Sequence, residues 1–240
     1  MQKNIIYEDE HIIVVHKPAG IATQTARVGQ QDMVSELKNY LAGNRERREK
    51  GEPYLGVVHR LDQPVSGLLV FAKSRKAAAG LSAQVSNKQM EKYYYAVIYG
   101  VPAKEEERLE NYLYKDGGTN CSLVVQEDFP HAKKAVLFYR KVCTMLILEK
   151  EQEVTLLEIQ LLTGRHHQIR AQLSHRGMPL LGDSKYGSVP SKELSREIGC
   201  KEVALCAYKL TLKHPITQKE MTFERQPEEA IFLPFFSKGI

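Results

Sequence analysis

The chain is poor in cysteine and arranges what it has without a pattern. Cys121, Cys143, Cys200 and Cys206 are its only four, and no two of them are spaced C-x-x-C. That argues against a disulfide frame or a zinc site and for reduced thiols in a reducing compartment. Long hydrophobic runs are missing as well. Although 42% of residues are hydrophobic, no stretch approaches the roughly 18 apolar residues of a membrane span. Residues 1–9 contain acids and lack a basic-then-apolar pattern, so no secretion or import signal is expected. Internal repeats and low-complexity tracts are absent. The formal charge of +5 is modestly basic, compatible with a nucleic-acid partner without demanding one. At 240 residues a substantial core is affordable, and the expectation is one soluble, cytoplasmic domain, 1–240.

What is present is concentrated in two clusters. The first is His59-Arg60-Leu61-Asp62, followed by a Gln63-Pro64 turn and the apolar strand Leu68 to Ala72. This puts one carboxylate at the lip of a buried sheet, where a rigid strand end can aim it. Taken alone, such an Asp reads first as a solvated turn residue bonding its own backbone. The second is Thr163-Gly164-Arg165-His166-His167-Gln168-Ile169-Arg170, after the apolar strand Val154 to Leu162 and running into a helix with Ile169 and Leu173 inward, ending at Gly177. A helix start attracts anions, and arginine forks suit phosphates and carboxylates. An ordinary helix start with an acid for each arginine remains open. His166-His167 invites a metal reading, but no second Cys/His pair or suitably spaced acid accompanies it.

Elsewhere the pattern reads as short strands at Ile5–Tyr7 and Ile12–His16 and a helix from Asp32 to Ala42 with Val34, Leu37 and Leu41 on one face. The mixed-charge run Arg45 to Lys50 reads as a solvated loop. An Ala-rich helix follows at Arg75–Asn87. Strands are expected at Tyr93–Tyr99, Leu109–Tyr114, Cys121–Gln126, Ala135–Lys141, Met145–Leu148 and Val154–Leu162, then an irregular apolar tail from Pro227. Strands and helices without strict alternation indicate α+β, with a large antiparallel or mixed sheet.

His59-Arg60-Leu61-Asp62 with Ser66-Gly67, and Thr163-Gly164-Arg165-x-His167-Gln168-Ile169-Arg170, resemble the signature motifs of the RluA family of RNA pseudouridine synthases. Further segments agree in order. Tyr7-Glu8-Asp9 to Lys17-Pro18-Ala19-Gly20 resembles the family's opening, and Lys92-x-Tyr94-x-Ala96 its tyrosine motif. Gly182-Asp183-x-x-Tyr186-Gly187 and Leu205-x-Ala207 to His214-Pro215 resemble its closing segments. The likeness covers about residues 1–225. Val65 and His166 depart from common family residues and bear on substrate fit. The chain begins at the catalytic-domain opening, so no accessory N-terminal RNA-binding domain is expected.

The resemblance implies a bent central sheet flanked by helices with the active-site cleft across it, and isomerisation of uridine in ribosomal or transfer RNA. It places Asp62 in the catalytic role, Arg165 as its partner, and Tyr94 against the target uracil. Arg60 and Arg170 are candidates for phosphate or flipped-nucleotide contacts, with His59 and His167 beside them as RNA contacts. Ile169 is a candidate for lining the uracil pocket, and Lys73 for a place near the strand end. No cofactor or metal is expected, and the partner is RNA, with no membrane and no obligate protein partner, the enzyme acting as a monomer. Two alternatives stand beside this: a non-catalytic RNA-binding protein on the same scaffold, and a glycosidic hydrolase, which needs a second acid opposite Asp62.

Overall fold

The computed structural model describes residues 2–25, 29–43 and 51–237; the Arg45–Lys50 charge run lies outside them. In chain order the strands and helices begin with β1 (Ile5–Glu8), β2 (Ile12–Lys17), α1 (Met33–Gly43), β3 (Gly56–Val57), β4 (Ser66–Ala72), α2 (Arg75–Ser86) and β5 (Glu91–Tyr99). They continue through β6 (Glu106–Asp116), β7 (Cys121–Val125), β8 (Lys133–Ile147), β9 (Gln152–Leu161), α3 (Gln168–His175) and α4 (Val189–Glu197), and close with β10 (Leu205–Lys213), β11 (Glu220–Glu224) and α5 (Leu233–Phe236). Strands dominate, helices are few, and the class is α+β. The chain groups into two compact units, one of residues 1–91 and 208–225, the other of residues 92–207 and 226–240.

In the first unit the strands lie in the order β1-β2-β4-β10, with β3 beside β4 and β11 beside β10. The ladders β1·β2, β2·β4, β3·β4 and β10·β11 are antiparallel. β2 and β4 are buried along their whole length, which explains why both read as near-continuous apolar runs instead of alternating ones. Ser74 starts α2 by accepting the Ala77 N–H at 3.2 Å, as an N-cap should. Its Ala77 and Leu81 then join Ile12, Val14, Leu68, Val70, Leu210 and Leu212 in one apolar core. Asp32 organises the start of α1, its Oδ1 accepting the Ser35 N–H at 2.7 Å and its Oδ2 the Thr25 N–H at 2.6 Å.

The second unit carries the order β5-β9-β8-β6-β7, each ladder antiparallel. The two strands expected at 135–141 and 145–148 are one long strand, β8, whose register against β9 shifts between Lys141 and Cys143. The shift breaks the period-2 pattern, so an uninterrupted strand reads as two. The tail expected to be irregular contains α5, and Phe232 and Phe235 pack there against Val97, Leu156, Leu181 and Leu194. Helix α4 was absent from the sequence expectations. It starts on Ser188, which accepts the Ser191 N–H at 3.3 Å, with Pro190 in its first turn.

Candidate active site

In the first unit, Asp62 sits four residues before fully buried β4, and its backbone carbonyl accepts the Val65 N–H at 3.1 Å, closing the turn over Gln63-Pro64. Both neighbours of Asp62 are tied down. Thr23 Oγ1 accepts the Leu61 N–H at 3.2 Å and donates to the Leu61 carbonyl at 3.0 Å. The Gln63 carbonyl accepts from Gly20 N at 2.9 Å and from Lys17 Nζ at 3.0 Å. Lys17 is completely buried, and its ammonium also donates to the Pro18 carbonyl at 2.8 Å and the Ile21 carbonyl at 2.7 Å. A buried ammonium persists only where oxygens replace its water, so Lys17 fastens the Pro18–Ile21 turn to the residue after Asp62. The half-buried Asp62 carboxylate therefore projects from backbone held on both sides.

The other first-unit candidates differ in what is left to them. His59 Nε2 accepts the Val70 N–H at 3.1 Å, so the ring is fastened to β4 through an unprotonated Nε2. Arg60 is exposed, with Nη2 only 3.4 Å from Gln24 Oε1. Lys73 Nζ lies 2.7 Å from Glu8 Oε1 and 2.6 Å from the Asp9 carbonyl, an ion pair internal to the unit.

In the second unit, the loop from β9 to α3 is organised by Gln168. Its Oε1 accepts from Thr163 Oγ1 at 2.8 Å and from Arg165 N at 3.0 Å, while Thr163 Oγ1 accepts the Val136 N–H at 2.8 Å. The helix expected from the Thr163-Gly164-Arg165 run begins only at Gln168, because His167 takes a left-handed conformation at φ 50° and helical geometry cannot pass through it. Arg165 is exposed; its Nε donates to the Lys134 carbonyl at 3.0 Å, and its two terminal nitrogens have no partner among the described residues. His166 and His167 stack with centroids 3.7 Å apart. Ser122 Oγ donates to the His166 carbonyl at 2.6 Å, and His167 Nδ1 lies 2.9 Å from the Tyr186 hydroxyl. Sequence reasoning missed Tyr186 as an organiser; burial pushes its hydroxyl up to about 12, so it stays protonated and structural.

Tyr94 is 5% exposed on β5, opposite Ile159 of β9. Strand alternation sends Tyr93 and Tyr95 to the other face, where Tyr95 meets the Phe236 ring edge-on. Ile169 is buried. Arg170, expected as a phosphate or nucleotide contact, is instead 3% exposed and gripped by Asp183 through two hydrogen bonds of 2.7 and 2.8 Å, with Tyr186 5.1 Å beneath its guanidinium. Its residue type suggested a surface cation, and its partner thirteen positions away was invisible to local patterning.

The chemistry on offer is thus a fixed carboxylate in one unit and, in the other, an outward guanidinium and a buried phenol ring. A sequence profile of the RNA pseudouridylate synthase family matches residues 11–175. The chain is 33% identical over 235 residues to a ribosomal large subunit pseudouridine synthase D of Zymomonas mobilis, covering 96% of this chain and 71% of that protein. It is 34% identical to the protein of the same name from Pseudomonas aeruginosa, over 97% and 71% of the two chains. A tRNA pseudouridine synthase C of Pectobacterium carotovorum is 29% identical over 98% of this chain and 63% of its own length. In fold, the chain is similar to the human RNA pseudouridylate synthase domain containing 4, at a TM-score of 0.72 and 24% identity, covering 97% and 91% of the two chains. On the extent and identity of these matches, the chain belongs to the RluA-type family of RNA pseudouridine synthases.

Proposed function

We propose that this isomerase converts particular uridines of ribosomal or transfer RNA to pseudouridine, with Asp62 as the reacting carboxylate. The observation that carries the reading is the mounting of Asp62: a carboxylate on a turn whose two flanking residues are held by Thr23, Gly20 and buried Lys17. Catalysis by an aimed side chain needs a backbone that does not yield, and this turn supplies one.

The reaction breaks the N1–C1′ bond of uridine, turns the uracil and joins C5 to C1′; the proton lost from C5 is balanced by one gained at N1. Substrate and product are isomers, so no electrons or groups enter and no cofactor is required. The Asp62 carboxylate acts as a nucleophile or a base, at the sugar or at the uracil. Arg165 is the assigned partner of that carboxylate, its planar guanidinium fork suited to orienting it. Tyr94 lies against the extruded uracil, by stacking and through its hydroxyl near C5. Arg60 and the loop that carries His167 take RNA phosphates or flanking nucleotides. The enzyme works as a monomer in the cytoplasm.

Asp62→Asn tests this reading. Asparagine keeps the shape and removes the charge, so pseudouridine formation on unmodified ribosomal and transfer RNA should fall to background while RNA affinity persists, since affinity rests on phosphate contacts and stacking. Near wild-type conversion by this variant would refute the mechanism. Release of free uracil by the wild-type protein would favour a hydrolase instead.

A further inference from the structure

Among the described residues, Lys92 is a lysine without a partner. It stands two residues before Tyr94 on β5, so strand alternation puts the two side chains on the same face. Lysines whose ammonium leaves water normally end on oxygens, and this chain shows it elsewhere: Lys17 ends on three carbonyls and Lys73 on Glu8. Lys92 has neither a hydrogen bond nor an ion pair among the described residues, and burial lowers its pKa with no opposing contribution. A half-buried, unpaired ammonium is costly unless something outside the chain completes it.

The one neighbour that marks the place is Gly164. A Cβ built there would lie 3.6 Å from Lys92 Nζ and, its two chain neighbours aside, within 4 Å of no other described atom. The residue does not adopt the left-handed backbone, so neither conformation nor crowding calls for glycine at this position. The remaining use of glycine is to let a ligand approach the backbone. Arg165 follows directly, with its Nε anchored on the Lys134 carbonyl and its outer nitrogens without a partner among the described residues.

We propose that Lys92 Nζ and the bare backbone of Gly164 form a seat for one phosphodiester of the RNA substrate, with residue 164 lacking a side chain so that the phosphate oxygen can reach the ammonium. The seat rests on the reading of the chain as an RNA-modifying enzyme, and it assigns to Lys92 a binding role beside the residues of the reaction. A phosphate supplies the two things the site lacks: a full negative charge for the ammonium and acceptor oxygens small enough to pass over a glycine.

The test measures the affinity of wild-type, Lys92→Gln and Gly164→Ala proteins for a short uridine-containing RNA hairpin across a range of potassium chloride. Loss of one phosphate contact should flatten the plot of log affinity against log salt by about one ion and weaken binding several-fold at low salt. Gly164→Ala should do the same although the charge remains, because its methyl covers the ammonium; Lys92→Arg should restore most of the slope. Near-UV circular dichroism checks that each variant is folded. An unchanged slope in Lys92→Gln overturns the seat, even if turnover falls, as does a normal slope in Gly164→Ala. A wild-type protein that binds the hairpin yet forms no pseudouridine in ribosomal or transfer RNA would overturn the functional reading alone, and the slope would still decide the seat.

Discussion

Arg170 and Asp183 form a two-pronged ion pair, Nε to Oδ2 at 2.7 Å and Nη2 to Oδ1 at 2.8 Å, with 3% and 2% of their surfaces exposed. The same Asp183 oxygen, Oδ1, accepts the backbone N–H groups of Lys185 and Tyr186 at 3.0 Å each, so the pair closes the turn that positions Tyr186. Asp183 therefore belongs to the architecture. Removing one partner leaves the other charge buried and alone, and Arg170→Met should lower the unfolding free energy by about 3 kcal/mol or more. Urea denaturation checks this. The salt dependence of RNA affinity should be unchanged in the folded variant; a flattened slope would return Arg170 to the RNA-contacting group.

The pair also sets an acid limit. Burial alone would raise the Asp183 pKa, but the hydrogen bonds and charge of Arg170, together with the N–H groups of Tyr186 and Lys185, outweigh it and hold the carboxyl below its ordinary range. A lowered folded value stabilises fully above the ordinary carboxylate pKa near 4 and loses that contribution as pH falls through the folded value. The stability gap between wild type and an Arg170→Met/Asp183→Leu double variant should therefore shift against the wild type below about pH 4. A gap constant from pH 7 to pH 2 would contradict the assignment.

Lys17→Met should fold poorly and work poorly. The substitution keeps much of the side-chain volume but strands the carbonyls of Pro18 and Ile21, at a cost of about 1 kcal/mol or more for each acceptor left without its donor, and leaves the Gln63 carbonyl with Gly20 N–H as its remaining donor. The effect should appear in both melting temperature and pseudouridine formation, because Gln63 adjoins Asp62. Full activity with a lowered melting temperature would mean that the cage supports the fold without aiming the acid.

Arg165→Lys should leave the melting temperature near that of the wild type, since residue 165 is exposed, yet reduce kcat about tenfold or more, equivalent to roughly 1.4 kcal/mol of transition-state stabilisation. Lysine keeps a charge but loses the planar fork. Single-turnover kinetics on an RNA substrate decide the matter, and an unaltered rate would remove Arg165 from the reaction.

Gly182→Ala should be among the most damaging single changes. Residue 182 has φ +71°, and a Cβ there would fall 1.8 Å from the Glu202 carbonyl oxygen, a collision with backbone that no side-chain motion relieves. Loss of several kcal/mol or failure to accumulate as folded protein is expected; a soluble variant of wild-type stability would show that the 182 and 202 segments can separate freely.

The sequence made legible whatever repeats or punctuates. Buried β2 and β4 announced themselves as apolar runs, α1 by its Asp32 cap, and the Asp62 turn by Gln63-Pro64 ahead of a strand. Residues defined by distant partners stayed hidden. The role of Lys17 rests on Gln63, 46 positions on, which receives it, and Arg170 reads as a phosphate contact until Asp183 claims it. The register shift in β8 split one strand into two on paper because local alternation fails there. His167 shortened α3 from its start through a backbone angle that residue identity does not forecast.

The first unit takes its last pieces, the end of β10 and all of β11, from residues 208–225, made only after residues 92–207 have been synthesised. On the ribosome, Ile12, Val14, Leu68 and Val70 emerge long before Leu210, Leu212 and Phe223, with which they share a core. The second unit in turn recruits Phe232 and Phe235 from the far end of the chain. Neither core can close during translation until most of the polypeptide is out, so a nascent chain must keep apolar strands waiting. An expressed fragment ending at residue 91 would carry the Asp62 turn on an unfinished sheet, its edge open to aggregation.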